Sequence, residues 1–146
     1  MTEFYQELNE TLQAFISRQK IFFVATVREK GPIHLSPKSS KTLCCIDKKT
    51  VAYLDLMGTG NETAINLDTD RRMTIMFCSF DKGPMILRLY GKGDVICQDD
   101  RKWNAYFRHF SDIPEKRQII ILDIDSAQTS CGTSVPLYEF KGERAT

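Results

Sequence analysis

Hydrophobic residues recur at helical spacing near the N-terminus and at strand spacing over most of the remaining chain. Between residues 3 and 19, the apolar side chains stand three or four positions apart, which predicts an amphipathic helix. These side chains are Phe4, Leu8, Leu12, Phe15 and Ile16. We expect the helix to cover one side of the domain.

After residue 20 the pattern is typical of β-strands joined by short turns. Three pairs of apolar segments predict hairpins, and a last strand follows. The pairs are IFFVATV with IHLSPKS, TLCCI with TVAYLDL, and MTIMFCSF with MILRLYGKGDVIC, and the last strand is QIIILDID. Pro37 lacks an N–H donor, so we expect it at an edge or at a position where the missing donor is harmless. Gly91 and Gly93 share one face of the third hairpin, which predicts a bend or a close approach there.

Two short helices are predicted between the strands, at about 60–70 and at about 100–110. The second has an aromatic face formed by Trp103, Tyr106, Phe107 and Phe110. Because strand follows strand at hairpin distance, the sheet should be antiparallel. The fold class is therefore mainly β with flanking helices, with about six strands closed or nearly closed into a small barrel. One domain, 1–146, is expected, with a helix at 1–19 and a barrel core at 20–140.

Composition and charge narrow the function classes. The 146 residues are 42% hydrophobic and 27% charged, with a formal net charge of +1, as in ordinary globular domains. The basic residues are scattered, so we predict neither a nucleic-acid nor a membrane partner. The polar N-terminus has no signal-peptide pattern and no apolar run approaches 18 residues, so a cytoplasmic location is expected.

The five cysteines do not predict a metal site or a disulfide framework. They are odd in number and lack a C-x-x-C spacing. Most of them are interpreted as packed thiols. Cys131 differs because it lies in the small-residue segment QTSCGTSVP.

The segment GTGNET, residues 58–63, follows a strand and precedes a helix, and we call it the glycine corner. Two interpretations stay open. Thr59 and Glu62 have the spacing of a capping box, which predicts only a well-capped helix. Alternatively, Gly58 and Gly60 allow a close backbone approach, and the free N–H groups that begin the helix bind an anion such as a phosphate.

A phosphate site is expected to include a cation, and the segment HLSPKSS offers one. Lys38 stands there between Ser36 and Ser39, whose hydroxyls are possible donors. A lone lysine is more often a solvated surface residue, so its weight comes from these neighbours.

The combination of SPK, GNET and QTSCG at these positions resembles the pyridoxamine 5′-phosphate oxidase-related family, the FMN-binding split barrels, over residues 20–140. The resemblance implies a six-stranded antiparallel split β-barrel that forms a homodimer with two FMN molecules at the interface. Carried over by position, it implies cofactor-binding residues in three segments. The flavin ring would be flanked by Leu35, Ser36, Pro37 and Lys38. The ribityl chain and the ring edge would be contacted by Asp55 and Leu56. The phosphate would be contacted by Gly60, Asn61, Glu62 and Thr63.

One departure from the family limits what the resemblance implies. The oxidases of this family place an Arg-Lys pair at the phosphate, where this chain has Asn61 and Glu62. Their substrate-binding C-terminal segment is not recognisable either. We therefore expect the fold and a flavin ligand, and not the vitamin B6 reaction.

The first functional hypothesis is an FMN-dependent oxidoreductase of unknown substrate, with a nicotinamide nucleotide as a candidate reductant. The second is a non-catalytic protein that binds or senses a flavin, a deazaflavin or haem, and the third is a dimeric interaction module. The catalytic residues are unknown, and four side chains are candidates for testing: Lys38, Tyr53, Tyr90 and Cys131.

Overall fold

The computed structural model describes residues 1–58 and 60–145, which form one eight-stranded antiparallel sheet with three α-helices. The elements in chain order are β1 (Glu3–Tyr5), α1 (Glu10–Arg18), β2 (Ile21–Thr26), β3 (His34–Ser39), β4 (Leu43–Asp47), β5 (Thr50–Leu56), α2 (Glu62–Thr69), β6 (Arg72–Cys78), β7 (Ile86–Cys97), α3 (Trp103–Phe107) and β8 (Lys116–Ser130). A 3-10 turn, Ser40–Thr42, joins β3 to β4. None of the helices in the described part of the chain is long and apolar enough to cross a membrane.

The strand order is β3-β2-β6-β7-β8-β5-β4, with β1 paired to β8 outside this path. The three predicted hairpins are confirmed as β2–β3, β4–β5 and β6–β7. Pro37 lies on β3, which is an edge strand as its missing donor requires. The antiparallel, mainly β fold class is confirmed.

The sheet has eight strands where about six were predicted: the seven apolar segments correspond to β2–β8, and β1 gave no signal. The length of β8 was also underestimated. β8 has 15 residues. It pairs with β7 along one edge, and its other edge is shared by β5 and β1. The polar residues that end β8 have no apolar alternation, so the sequence pattern ended this strand too early.

The predicted helix over residues 3–19 was wrong in its first part. Glu3–Tyr5 is a strand whose backbone pairs with Ala127, Gln128 and Thr129 of β8, and Phe4 is 69% exposed. The helix begins only after Asn9, whose side chain accepts a hydrogen bond from the Leu12 N–H at 2.9 Å. Phe4 therefore matched the helical spacing without sharing the helix.

Two apolar clusters lie on opposite faces of the sheet, as the alternation along β5 shows. Val51 and Tyr53 belong to the larger cluster, beneath α1 and α2, whereas Ala52 and Leu54 belong to the smaller one. The aromatic face of the second predicted helix packs on the smaller cluster, with Trp103 buried.

The two glycines of β7 fulfil both parts of their prediction. A β-bulge separates Tyr90 from Gly91, and an added Cβ at Gly91 would collide with the Asp123 carbonyl. An added Cβ at Gly93 would lie 2.7 Å from Leu67 Cδ2, so α2 packs directly on this position. These contacts fix α2 against the sheet, with the glycine corner at its N-terminus.

Candidate functional site

The glycine corner turns the chain from the end of β5 into α2. Gly58 has a φ of +98°, a conformation that favours glycine. An added Cβ at Gly60 would lie 2.6 Å from Glu62 Cδ, because the Glu62 carboxylate is folded back over Gly60. The backbone is therefore open to close approach at Gly58, where an added Cβ would meet nothing within 4 Å, whereas the Glu62 carboxylate fills the approach to Gly60.

The capping-box interpretation is not supported at the helix start. Its first residue, Thr59, lies outside the described residues. The N-cap of α2 is Asn61, and its side chain makes no capping hydrogen bond. Glu62 is the first residue of the helix, whereas a capping box would place it at the third helical position.

A buried carboxylate lies beside the corner, at the end of β5. Asp55 is 3% exposed. Its Oδ2 accepts hydrogen bonds from Arg117 Nε at 3.1 Å, Arg117 Nη2 at 2.8 Å and Gln118 Nε2 at 2.7 Å. Its Oδ1 lies 3.6 Å from Lys38 Nζ. We call Lys38, Asp55, Arg117 and Gln118 the Asp55 cluster; its two cations exceed its single anion.

The Asp55 cluster is tied directly to the glycine corner. Arg117 Nη2 donates to the Gly60 carbonyl at 3.1 Å, and Gln118 Nε2 donates to Asn61 Oδ1 at 2.9 Å. A bulge between Asp55 and Leu56 leaves Arg117 outside the regular pairing of β5 with β8. Arg117 is therefore the residue that the pairing skips, and its side chain reaches the glycine corner.

The four predicted residues of β3 divide between its two faces. Ser36 and Lys38 are partly buried, whereas Leu35 and Pro37 are exposed. The Ser36 hydroxyl is buried and has no hydrogen-bond partner in the described chain. Lys38 has a 16% exposed side chain, so it is not a solvated surface lysine.

Tyr53 and Thr63 meet beneath the corner. Tyr53 is fully buried, and its hydroxyl also has no partner among the described residues. Burial, together with the Asp55 charge, raises the pKa of Tyr53 well above its usual range. The Thr63 side chain lies beside this hydroxyl without completing a hydrogen bond. Tyr53 is therefore a neutral hydroxyl that retains an unused donor.

The remaining candidates lie away from this cluster. Tyr90 donates to Gln128 and pairs with Ser126 in β8, eight residues and roughly 26 Å along the strand from Gln118. Cys131 follows β8 and is exposed. Its Sγ lies 3.2 Å from Thr133 Oγ1, and this contact lowers the pKa of the thiol. The structure thus brings together Lys38, Tyr53 and the glycine corner, but not Tyr90 or Cys131.

Sequence reasoning missed Arg117 and Gln118. They stand in PEKRQII, directly before the apolar run of the last strand. A basic residue next to a strand end is common on protein surfaces, so nothing local marks it. Only the pairing of β5 with β8 places both side chains beside Asp55.

Fold and site together define a class of protein. The family model described as pyridoxamine 5′-phosphate oxidase matches residues 8–131. The chain therefore belongs to the pyridoxamine 5′-phosphate oxidase family, and the resemblance found in the sequence is confirmed.

Individual relatives agree with this assignment. The pyridoxamine 5′-phosphate oxidase family protein ustO of Aspergillus flavus is 38% identical over 144 residues, which are 95% of this chain and 58% of ustO. The chain thus spans little more than half the length of this curated relative.

Two solved structures share the fold. HupZ of Group A Streptococcus superposes with a TM-score of 0.68 at 20% identity, covering 84% of this chain and 98% of HupZ. An FMN-binding protein of Syntrophomonas wolfei superposes with a TM-score of 0.54 at 17% identity, covering 78% and 80%. At these identities the likeness concerns the fold alone.

Proposed function

We propose that the chain binds FMN at the glycine corner and serves as an FMN-dependent oxidoreductase. The observation that carries the proposal is the connection between the Asp55 cluster and the corner through Arg117 and Gln118. It joins the turn at Gly60 and the start of α2 to a buried group of polar side chains. Such a combination suits a ligand with both an anionic end and a polar chain.

The residues present fit this cofactor. The buried hydroxyls of Ser36 and Tyr53 lack partners in the described chain, and a buried polar group without a partner is costly unless a ligand or water satisfies it. Ser36 and Lys38 would face the ring, Asp55 the ribityl chain, and Gly60 with the start of α2 the phosphate. Leu35 and Pro37 lie on the other face of β3 and Leu56 packs against the smaller cluster, so the proposal assigns these three predicted residues no contact with the ring.

When bound, FMN supplies the electron-transfer chemistry, and the protein supplies position and electrostatics. Lys38 and Arg117 would favour negative charge on the ligand. Tyr53, kept neutral by burial, would hold its proton as a donor. The substrate and the catalytic residues are not assigned by these contacts.

One observation favours a second function, a flavin-binding protein without turnover. Asp55 receives hydrogen bonds from two neighbouring side chains and lies beside Lys38. A carboxylate whose oxygens are already engaged by neighbouring side chains has little capacity left to contact a substrate. The cluster could therefore serve binding alone, as the alternative of a flavin, deazaflavin or haem protein predicts.

An absorption spectrum of the purified protein tests the proposal, followed by titration with FMN. We expect the absorption bands of an oxidised flavin, and we expect them to persist through gel filtration. A Soret band favours the haem alternative, and the absence of both chromophores and of FMN binding contradicts the proposal. If FMN binds, reduction by NADH or NADPH supports an oxidoreductase, whereas reduction by dithionite alone supports the binding protein.

The proposed assembly is a homodimer with FMN near the interface. Leu35 is 64% exposed, Met57 57% and Ile65 51%. Leu35 lies on β3, Met57 directly precedes the glycine corner, and Ile65 lies on α2. These three segments surround the site. Exposed apolar residues around a binding site are typical of a surface that a partner covers.

A further inference from the structure

The glycine corner lacks the cations that a phosphate ligand requires. A phosphate monoester carries close to two negative charges near neutral pH, whereas residues 61 and 62 are Asn and Glu. The Glu62 carboxylate also lies over Gly60. The positive charge must therefore come from another segment.

Two cationic side chains, Lys38 and Arg117, lie near the glycine corner, and their surroundings differ. Lys38 has a 16% exposed side chain, and its Nζ lies 5.9 Å from the centre of the Tyr53 ring. It thus faces the interior beneath the corner. Arg117 has a 25% exposed side chain and is bonded to the corner itself, at the Gly60 carbonyl.

Counting its donors shows that Arg117 has capacity for a ligand. A guanidinium carries five N–H donors. Nε uses one on Asp55, and Nη2 uses two, on Asp55 and on the Gly60 carbonyl. The two donors on Nη1 have no partner in the described chain.

These two donors are not enclosed by the protein. The buried side-chain atoms without a partner in the described chain are the hydroxyls of Ser36, Ser40 and Tyr53, so Nη1 is not buried. Asp55 and Gly60 meanwhile fix the plane of the guanidinium. Arg117 is therefore oriented before a ligand arrives, which lowers the entropic cost of binding an oxyanion.

The unpartnered Tyr53 hydroxyl points independently to a ligand at this place. Tyr53 is fully buried, with 0% exposure. Thr63, in the first turn of α2, lies beside its hydroxyl. A buried hydroxyl of this kind is costly unless a ligand or a water satisfies it.

We propose that Arg117, through Nη1, binds the phosphate of the flavin and sets the preference for FMN over riboflavin, while Glu62 opposes the same anion. This proposal rests on the proposed function. The positive charge that residues 61 and 62 lack comes, in this proposal, from Arg117 of β8. Lys38 then serves the interior of the site rather than the phosphate.

Fluorescence titrations with FMN and with riboflavin test the assignment on the full chain. Arg117→Gln should weaken FMN binding roughly 10- to 100-fold, the range of a lost charge-assisted hydrogen bond. Riboflavin binding should change little, because riboflavin has no phosphate. Arg72→Gln is the matched control, since Arg72 forms an exposed pair with Asp70, and it should leave both affinities unchanged.

Glu62→Gln provides the opposite test and keeps the proposal falsifiable if Arg117→Gln does not fold. Removing this exposed charge should tighten FMN binding about two- to fivefold and leave riboflavin unchanged. Equal effects on both ligands, or no effect of either variant on FMN, overturn the Arg117 assignment alone. If the wild-type protein binds neither ligand, the proposed function fails as well.

Discussion

Asn66 of α2 donates a buried hydrogen bond to the hydroxyl of Thr26 on β2, with an Nδ2–Oγ1 distance of 3.1 Å. Both residues are buried, at 4% and 2% exposure. This bond holds α2, and with it the glycine corner, on the sheet. Asn66→Ala leaves the Thr26 hydroxyl buried without this partner, so we expect a loss of about 1–3 kcal/mol in the free energy of unfolding by urea denaturation.

Two further variants separate this bond from helix propensity. Asp68→Ala changes an exposed residue of the same helix and should alter stability by less than about 0.5 kcal/mol. Thr26→Val combined with Asn66→Leu removes both polar partners and should cost less than the sum of the two single changes. Strict additivity in this cycle would show that the bond contributes nothing.

Gly93 supports the same helix from β7. An added Cβ would lie 2.7 Å from Leu67 Cδ2 and 2.8 Å from Met73 Sδ, both on buried residues. Gly93→Ala should therefore overpack the core and cost about 1–3 kcal/mol, measured by urea denaturation.

Gly83→Ala is the control for Gly93, because its added Cβ would meet only Asp81 Oδ1, at an ordinary 3.7 Å. It should change stability by less than about 0.5 kcal/mol. Equal costs at the two positions would contradict the packing explanation.

Much of the fold follows from local patterns in the sequence. The hairpins and α2 are encoded by alternation, turn residues and spacing, which depend on neighbours in the chain. β1 has no such signal. It is a three-residue strand whose identity comes from pairing with β8, more than 120 residues away. Of its two aromatic side chains, Phe4 is exposed and Tyr5 is partly buried.

The site was predictable only where the residues are close in sequence. The glycine corner and Lys38 were predicted because each lies in a recognisable segment. Arg117 approaches Asp55 across 62 positions of sequence, through a strand bulge that no local pattern encodes. Long-range pairing thus decides the electrostatics of the corner.

Cys131 and Cys45 should differ in reactivity with iodoacetamide. The Thr133 hydroxyl and backbone N–H lower the pKa of Cys131, whereas burial, with Cys44 adjacent, raises the pKa of Cys45 to about 11. A lowered pKa increases the reactive thiolate at pH 8, and a pKa of about 11 leaves roughly one thiolate in a thousand. Mass spectrometry of timed samples should therefore find Cys131 alkylated well before Cys45.

Thr133→Val identifies the cause of this difference. It removes the hydroxyl but keeps the backbone N–H, so alkylation of Cys131 should slow at pH 7–8 and recover at higher pH. A Cys97→Ser background removes the other exposed thiol. An unchanged rate in Thr133→Val would show that the hydroxyl does not stabilise the thiolate.

The exposed apolar residues around the site predict a homodimer that sedimentation velocity can detect. A stable interface buries roughly 800 Å² on each subunit, and Ile65, at 51% exposure on α2, lies beside the corner. Ile65→Arg would place a charge in that interface, so we expect dissociation to monomers at micromolar concentration and weaker FMN binding.

Phe4→Arg is the control, because Phe4 is 69% exposed on β1, which pairs with the far end of β8. It should leave the dimer intact. A wild-type protein that sediments as a monomer with FMN present would contradict the homodimer. A dimer that Phe4→Arg disrupts and Ile65→Arg does not would place its interface elsewhere.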